Sequence, residues 1–166
     1  MQGRGAILHF FTWAAVVLIL DQLSKHLIQR IIAEGESIPI LPGVFHLTLY
    51  KNPGAAFGIF AYKTNLFITV TIIVMIIIIF FYLKLPKSMG LAKISLALQF
   101  GGAAGNFIDR ILHGYVVDFI DFRVWPVFNI ADSAIVIGVI LLCWDFFIQR
   151  EKEGCDEGDK NGCVGK

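Results

Sequence analysis

Long apolar stretches separated by short polar ones dominate this chain. A helix that crosses the hydrocarbon core of a bilayer needs about 20 mostly apolar residues. Four segments approach that length: 6–28, 64–83, 91–112 and 132–149. The first is uncharged from Gly5 to Leu20, and the second is uncharged throughout and contains IIVMIIIIFFYL. Arg4 precedes the first run as it would in a signal peptide. Asp21, Gln22 and Lys25 then follow in place of a small-residue cleavage site, so the run is expected to be a retained span.

The segments outside the spans carry their own pattern. In VFHLTLYKN, Phe45, Leu47 and Leu49 alternate with His46, Thr48 and Tyr50, the period of a half-buried strand. The turn signal Asn52-Pro53-Gly54 follows, then the short apolar segment AAFGIF, which together predict a small hairpin at the membrane surface. The stretch YVVDFIDFRVWPVFN is rich in aromatic and β-branched residues, as expected of an interfacial segment. The expected fold is therefore a membrane all-α bundle of four transmembrane helices with a small extracytoplasmic β-hairpin or cradle. It forms one domain over residues 1–150. Residues 151–166, polar and glycine-containing, are expected to be a disordered cytoplasmic tail.

Charge orients this bundle. Lys84, Lys87 and Lys93 surround the second link, Arg4 precedes the first span, and Arg150 and Lys152 follow the fourth. The positive-inside rule places these in the cytoplasm and leaves 29–63 and 113–131 on the outer face, although Lys51, Lys63 and Arg123 lie there and dilute the bias. Composition agrees with a membrane protein: of 166 residues, 57% are hydrophobic and 16% charged. With a net charge of +1 and no clustering of basic residues, no footprint for nucleic acid is present. Cys143 lies in an apolar run and Cys155 and Cys163 in the tail, which does not make a disulfide frame or a zinc site.

Ionisable groups inside or beside apolar spans are costly and tend to mark function. Here they collect at one level. Asp21 and Lys25 end the first span; Asn106, Asp109 and Arg110 end the third; Asp118 and Asp121 follow it; Asn129 and Asp132 open the fourth. Several have a structural alternative. Asp21 and Lys25, four apart on one helical face, suit an ordinary stabilising pair as well as a site lining. Asn129 to Asp132 resembles a capping box with an acid in place of the usual Glu. Asp109 and Arg110 suit contact with water or lipid headgroups. Asp118, flanked by Val116, Val117, Phe119 and Ile120, is harder to explain without function, because a lone carboxylate there is poorly solvated.

The chemistry is narrowed by what the sequence lacks. It has no HExxH motif and no GxSxG elbow, and its four histidines are scattered. Carboxylates remain, and two sharing one proton can activate water for peptide hydrolysis. Asp118 and Asp132 are 14 residues apart, which a continuous helix would spread over about 21 Å. Pro126 argues against such a helix and for a loop that folds back. The helix dipole favours charge on Asp132, while the apolar neighbours of Asp118 favour a proton there. A proton-coupled carrier is the main alternative reading, and a purely structural membrane protein is another.

Five blocks, DQLSK (21–25), KNPGAAFGIF (51–60), GGAAGNFIDR (101–110), YVVDFIDF (115–122) and FNIADSAI (128–135), resemble in content and order the signature blocks of lipoprotein signal peptidase, signal peptidase II. The resemblance covers about residues 6–149. It implies an aspartic endopeptidase of the bacterial cytoplasmic membrane, with its site near the outer face and both termini cytoplasmic. The enzyme would cleave prolipoproteins before a diacylglyceryl-modified cysteine. Residue by residue, it implies Asp118 and Asp132 as the catalytic pair. Asp21, Lys25, Asn52, Gly54, Gly105, Asn106, Arg110, Asn129 and Ala131 would line or support the site. It further implies membrane lipid and the cyclic peptide inhibitor globomycin as partners, and neither a metal nor an organic cofactor. A monomer is expected.

Overall fold

The apolar runs become helices because a backbone in hydrocarbon must satisfy its hydrogen bonds internally. A computed structural model describes residues 4–54, 63–86 and 88–161, with side chains in these ranges from Gly5 to Gln149. The helices are α1 (Arg4–Ile31), α2 (Thr64–Lys84), α3 (Gly90–His113) and α4 (Ile130–Asn161). Three of them, over Gly5–Ile31, Thr64–Lys84 and Ile130–Gln149, are long and apolar enough to cross a membrane. α2 buries only Ile78 and Tyr82 and shows apolar side chains in every direction, a surface suited to lipid rather than water.

α3 has 24 residues and spans about 36 Å at helical rise. It does not join the other three by apolarity. It is the central helix, packed against α1, α2 and α4, and its inner face is made of small and polar residues. A Cβ at Gly101 would stand 2.6 Å from the Ala14 carbonyl oxygen; one at Gly102 would collide with the Ala131 carbonyl, and one at Gly105 with Asp21 Oδ2. The GGAAG run thus draws α1 and α4 to backbone distance, as small residues do in membrane bundles. Asp145 of α4, buried, accepts the Ala92 N–H at 3.1 Å, satisfying one donor in the first turn of α3, whose own N-cap residue Met89 supplies none.

Strands β1 (Ser37–Leu41), β2 (Phe45–Asn52) and β3 (Val116–Asp121) form an antiparallel sheet in that order. β2 is the strand its alternation predicts. Its hairpin partner differs from the expected one. β2 pairs with the preceding SIPIL segment through a tight turn at Gly43, whose φ of 78° suits glycine. Residues 55–60, expected as the second hairpin segment, lie outside the described residues. The other neighbour of β2 is β3, with Tyr50 opposite Asp118 and Asn52 opposite Val116. Ile28 of α1 and Ile32, the residue just after it, pack with Leu49, Val117 and Phe119, seating the sheet on the end of α1.

α4 stays helical through 151–161, a stretch whose composition predicts a disordered tail. No proline interrupts it, and Gly154 and Gly158 oppose a helix by only about 1 kcal/mol each.

Candidate active site

Asn129 precedes the first residue of α4, which makes Asp132 its third residue. Asn129 Oδ1 accepts the Asp132 N–H at 2.9 Å, and Asp132 Oδ2 accepts the Asn129 N–H at 3.3 Å. This is the reciprocal capping box that the sequence suggests. It occupies one oxygen of Asp132 and leaves Oδ1 to accept from Asn106 Nδ2 at 2.8 Å.

Asp118 reaches the same place from β3. Gly114, in the left-handed conformation at φ 80°, ends α3 and turns the chain into that strand. After Asp121 the chain folds back, in keeping with the break in helix that Pro126 imposes, and Phe128 pairs with Ile120 through N–H···O bonds of 2.8 and 3.1 Å. Asn129 is thereby returned to Asp118, donating from Nδ2 to Asp118 Oδ1 at 2.6 Å. Asn52 of β2 donates to the other oxygen at 2.9 Å. Asp118 is 2% exposed and Asn129 fully buried.

Behind the pair sits a buried ion cluster. Lys25 Nζ lies 2.8 Å from Asp21 Oδ2, 2.9 Å from Asp109 Oδ2 and 3.0 Å from Asn106 Oδ1. An ammonium only donates, so it fixes Asn106 with Oδ1 toward Lys25 and Nδ2 toward Asp132. Both acids also hold backbone of the pair's elements. Asp21 Oδ1 accepts the Ala131 N–H at 3.0 Å in the first turn of α4, and Asp109 Oδ2 accepts the Val117 N–H at 3.1 Å, next to Asp118. Gln22 Nε2 links the acids, at 3.2 Å from Asp21 and 2.9 Å from Asp109.

Asp118, Asp132, Asn52, Gly54, Asn106 and Arg110 line one cavity of about 320 Å³. Arg110 spans it, donating to the carbonyls of Asn106 at 3.3 Å and Gly54 at 3.5 Å while its guanidinium lies 5.0 Å from the Phe67 ring centre. Among the described residues, no cation comes within ion-pair distance of Asp118 or Asp132. Burial and the nearby charge of Asp132 push the Asp118 carboxyl up to about 7, against the pull of the Asn52 and Asn129 bonds and of the Lys25 charge. An apolar groove of about 620 Å³, lined by Phe122, Val124, Val136 and Ile137, meets the cavity at Trp125, Phe128 and Asp132.

All eleven residues singled out in the sequence fall in this network. Gly54 donates its N–H to Asn52 Oδ1, Gly105 lets Asp21 approach, and Ala131, in the first turn of α4, is fully buried against Gly102 and Gly105. The ordinary i, i+4 pair of Asp21 and Lys25 is real, yet it is buried and joined to the site. Asp109, suited in sequence to water or headgroups, is 2% exposed and belongs to the ion cluster. Asp121 braces the sheet. Burial opposes its ionisation, but bonds from Thr48 and the Arg123 N–H outweigh this and lower its affinity for a proton. Sequence reasoning missed Gln22 and Asp145. Each is a polar residue in an apolar span, and that is the signal that marks them.

The description "Signal peptidase (SPase) II" fits residues 13–148 of this chain. A lipoprotein signal peptidase of Moorella thermoacetica is 52% identical over 145 residues, covering 87% of this chain and 97% of its own. One from Pelotomaculum thermopropionicum is 46% identical over 147 residues, covering 89% and 97%. A bacterial membrane enzyme solved by the in meso method at 2.3 Å superposes with a TM-score of 0.82 at 37% identity, covering 88% of this chain and 92% of that one. With membrane-spanning helices, a family model that matches most of its length and relatives matched almost end to end, the chain belongs to the signal peptidase II family, the multi-pass membrane peptidases that remove signal peptides from prolipoproteins.

Proposed function

We propose that the protein is an aspartic endopeptidase that cuts prolipoproteins immediately before the diacylglyceryl-modified cysteine, with Asp118 and Asp132 as its catalytic pair. The observation that carries this reading is that two carboxyls share one cavity, each held by neutral amides and neither ion-paired to a cation among the described residues. Two such carboxyls share a proton and divide acid and base roles. Ionised Asp132 takes a proton from water as its oxygen attacks the scissile carbonyl. Protonated Asp118 gives its proton to the carbonyl oxygen, forming a tetrahedral diol. Collapse returns a proton to Asp118 from a diol hydroxyl and passes the proton on Asp132 to the leaving amine. Arg110 and Asn106 stand in the cavity wall to hold substrate backbone.

The apolar groove that meets Asp132 suits a substrate carrying acyl chains beside its cleaved bond. The topology follows the charge pattern: four crossings including α3, both termini cytoplasmic, and the pair at the outer face of the bacterial cytoplasmic membrane. The sheet cradles the substrate, the active unit is a monomer in membrane lipid, and globomycin occupies the pair. The test is cleavage of a purified diacylglyceryl-modified prolipoprotein. The wild type cuts before the modified cysteine, while Asp118→Asn and Asp132→Asn bind but do not cut. Cleavage by either folded variant at the wild-type rate would overturn the assignment.

A further inference from the structure

A second polar pocket, of about 260 Å³, opens between α1 and α3 on the far side of Lys25 from the carboxyl pair. The catalytic reading makes no use of it. Its floor is Lys25 and Asp109, and its rim carries His26, Arg30 and His113. Gln22 and Gln29 complete the lining, so its charged and imidazole groups decide its character. Its one carboxylate is already committed, with Asp109 Oδ1 bonded to Gln22 and Oδ2 to Lys25 and the Val117 N–H. Arg30 and His26 are exposed and have no hydrogen-bond or ion-pair partner among the described residues. His113 is held by stacking on Tyr115 at 5.6 Å. With Lys25 already compensated by Asp21 and Asp109, the Arg30 guanidinium and the two imidazoles are what the pocket offers a ligand, the complement of a single anionic group.

Depth identifies that group. α1 has 28 residues and extends about 42 Å, against a hydrocarbon core of about 30 Å, so its last turns emerge into the headgroup layer. Arg30 stands in the last turn of α1 and His113 at the last residue of α3. Leu23 and Leu27 lie seven and three residues before Arg30, on the same helical face, and are 62% and 56% exposed. A lipid seated there would place its phosphate at the rim and its chains along these leucines.

We propose that this pocket binds the phosphate headgroup of a membrane phospholipid, held by the Arg30 guanidinium and the His26 and His113 rings. The guanidinium fork matches two phosphate oxygens, and the imidazoles donate to the others. The site is separate from the cleavage reading and stands whether or not that reading does. Because its floor is the ion cluster that braces β3 and α4, an occupied pocket stabilises the folded enzyme by mass action.

The test is thermal unfolding of the full chain in a neutral detergent, titrated with dihexanoylphosphatidylglycerol, with dihexanoylglycerol, or with inorganic phosphate. The phospholipid is expected to give a saturable rise in Tm that the phosphate-free glyceride does not give and inorganic phosphate does not match. A double variant, Arg30→Gln with His26→Asn, keeps the lipid-free Tm because both side chains are exposed and unpartnered. It weakens the apparent phospholipid affinity about tenfold, the scale of a lost charge-assisted bond. Equal stabilisation by the glyceride, or an undiminished response in the double variant, overturns the site. A full response to inorganic phosphate alone overturns the lipid as its occupant.

Discussion

Asp21 and Asp109 on one side of Asn106, and Asp118 and Asp132 on the other, are two pairs of acids at the same end of the bundle. The first pair closes on the Lys25 ammonium, at 2.8 and 2.9 Å. The second is met by neutral amides and backbone: Asn52 and Asn129 on Asp118, Asn106 and the Asn129 N–H on Asp132. A cation compensates charge and lets its acids hold backbone, Asp21 on α4 and Asp109 on β3. Amides orient carboxyls without cancelling their repulsion, and a shared proton is what relieves it. On the proposed assignment, rigidity and reactivity are thus divided between neighbouring acids by one ammonium, and Asn106 touches both sets.

The division can be broken most severely at the proposed catalytic pair. Asp132→Asn, which keeps a side-chain amide oxygen at the cap, is expected to lower the single-turnover cleavage rate by about 10³-fold or more while leaving Tm near wild type. Lys25→Met should do the reverse. It leaves two buried acids uncompensated, at a cost of about 3–5 kcal/mol in chemical denaturation. Adding Asp21→Asn and Asp109→Asn to it should restore most of that loss, and failure to do so would show that the ammonium matters for more than charge.

Asp118 gives the comparison a pH dependence. Its folded affinity for a proton is raised from 3.8 to about 7, so its contribution to stability is complete below about 3.8 and is lost as pH rises through about 7. Wild type should therefore lose stability relative to Asp118→Asn between pH 5 and pH 8, and cleavage should fall as the Asp118 proton is lost. A stability difference independent of pH over that range would place the proton elsewhere. At Gly105 the effect is smaller: Gly105→Ala pushes a methyl against Asp21 and should cost about 1–3 kcal/mol, with activity falling as α4 shifts. The mildest change is Asp145→Leu, at the opposite end. It loses the bond to the Ala92 N–H, worth about 1 kcal/mol in Tm measurements, without altering the cleavage rate of the remaining folded enzyme.

Much of this is legible in the sequence. The four helices fall where the sequence places them, three of them by length and apolarity, which let a segment satisfy its backbone in lipid, whereas α3 is less apolar and lies at the centre of the bundle. The alternation of Phe45 to Tyr50 marks β2, and Asn129 with Asp132 marks a helix start by spacing. The partner of β2 was not legible, since pairing depends on segments distant in the chain, and β3 joins it from 64 residues beyond Asn52 to Val116. Nor was the fate of Asp109, because one dipeptide of polar residues at a helix end suits water, lipid or a buried cluster equally.

By itself the sequence determined the apolar spans, the depth at which charge collects and the capping of α4, all of them local properties of residues within a few positions of each other. Only the tertiary structure decided which acids receive Lys25 and which receive amides. That choice rests on contacts between α1, α3, β3 and α4, made at close range because Gly101, Gly102 and Gly105 leave no side chain in the way. Its physical reason is that electrostatic partnership falls off over a few ångströms, a scale that spacing along a chain does not measure.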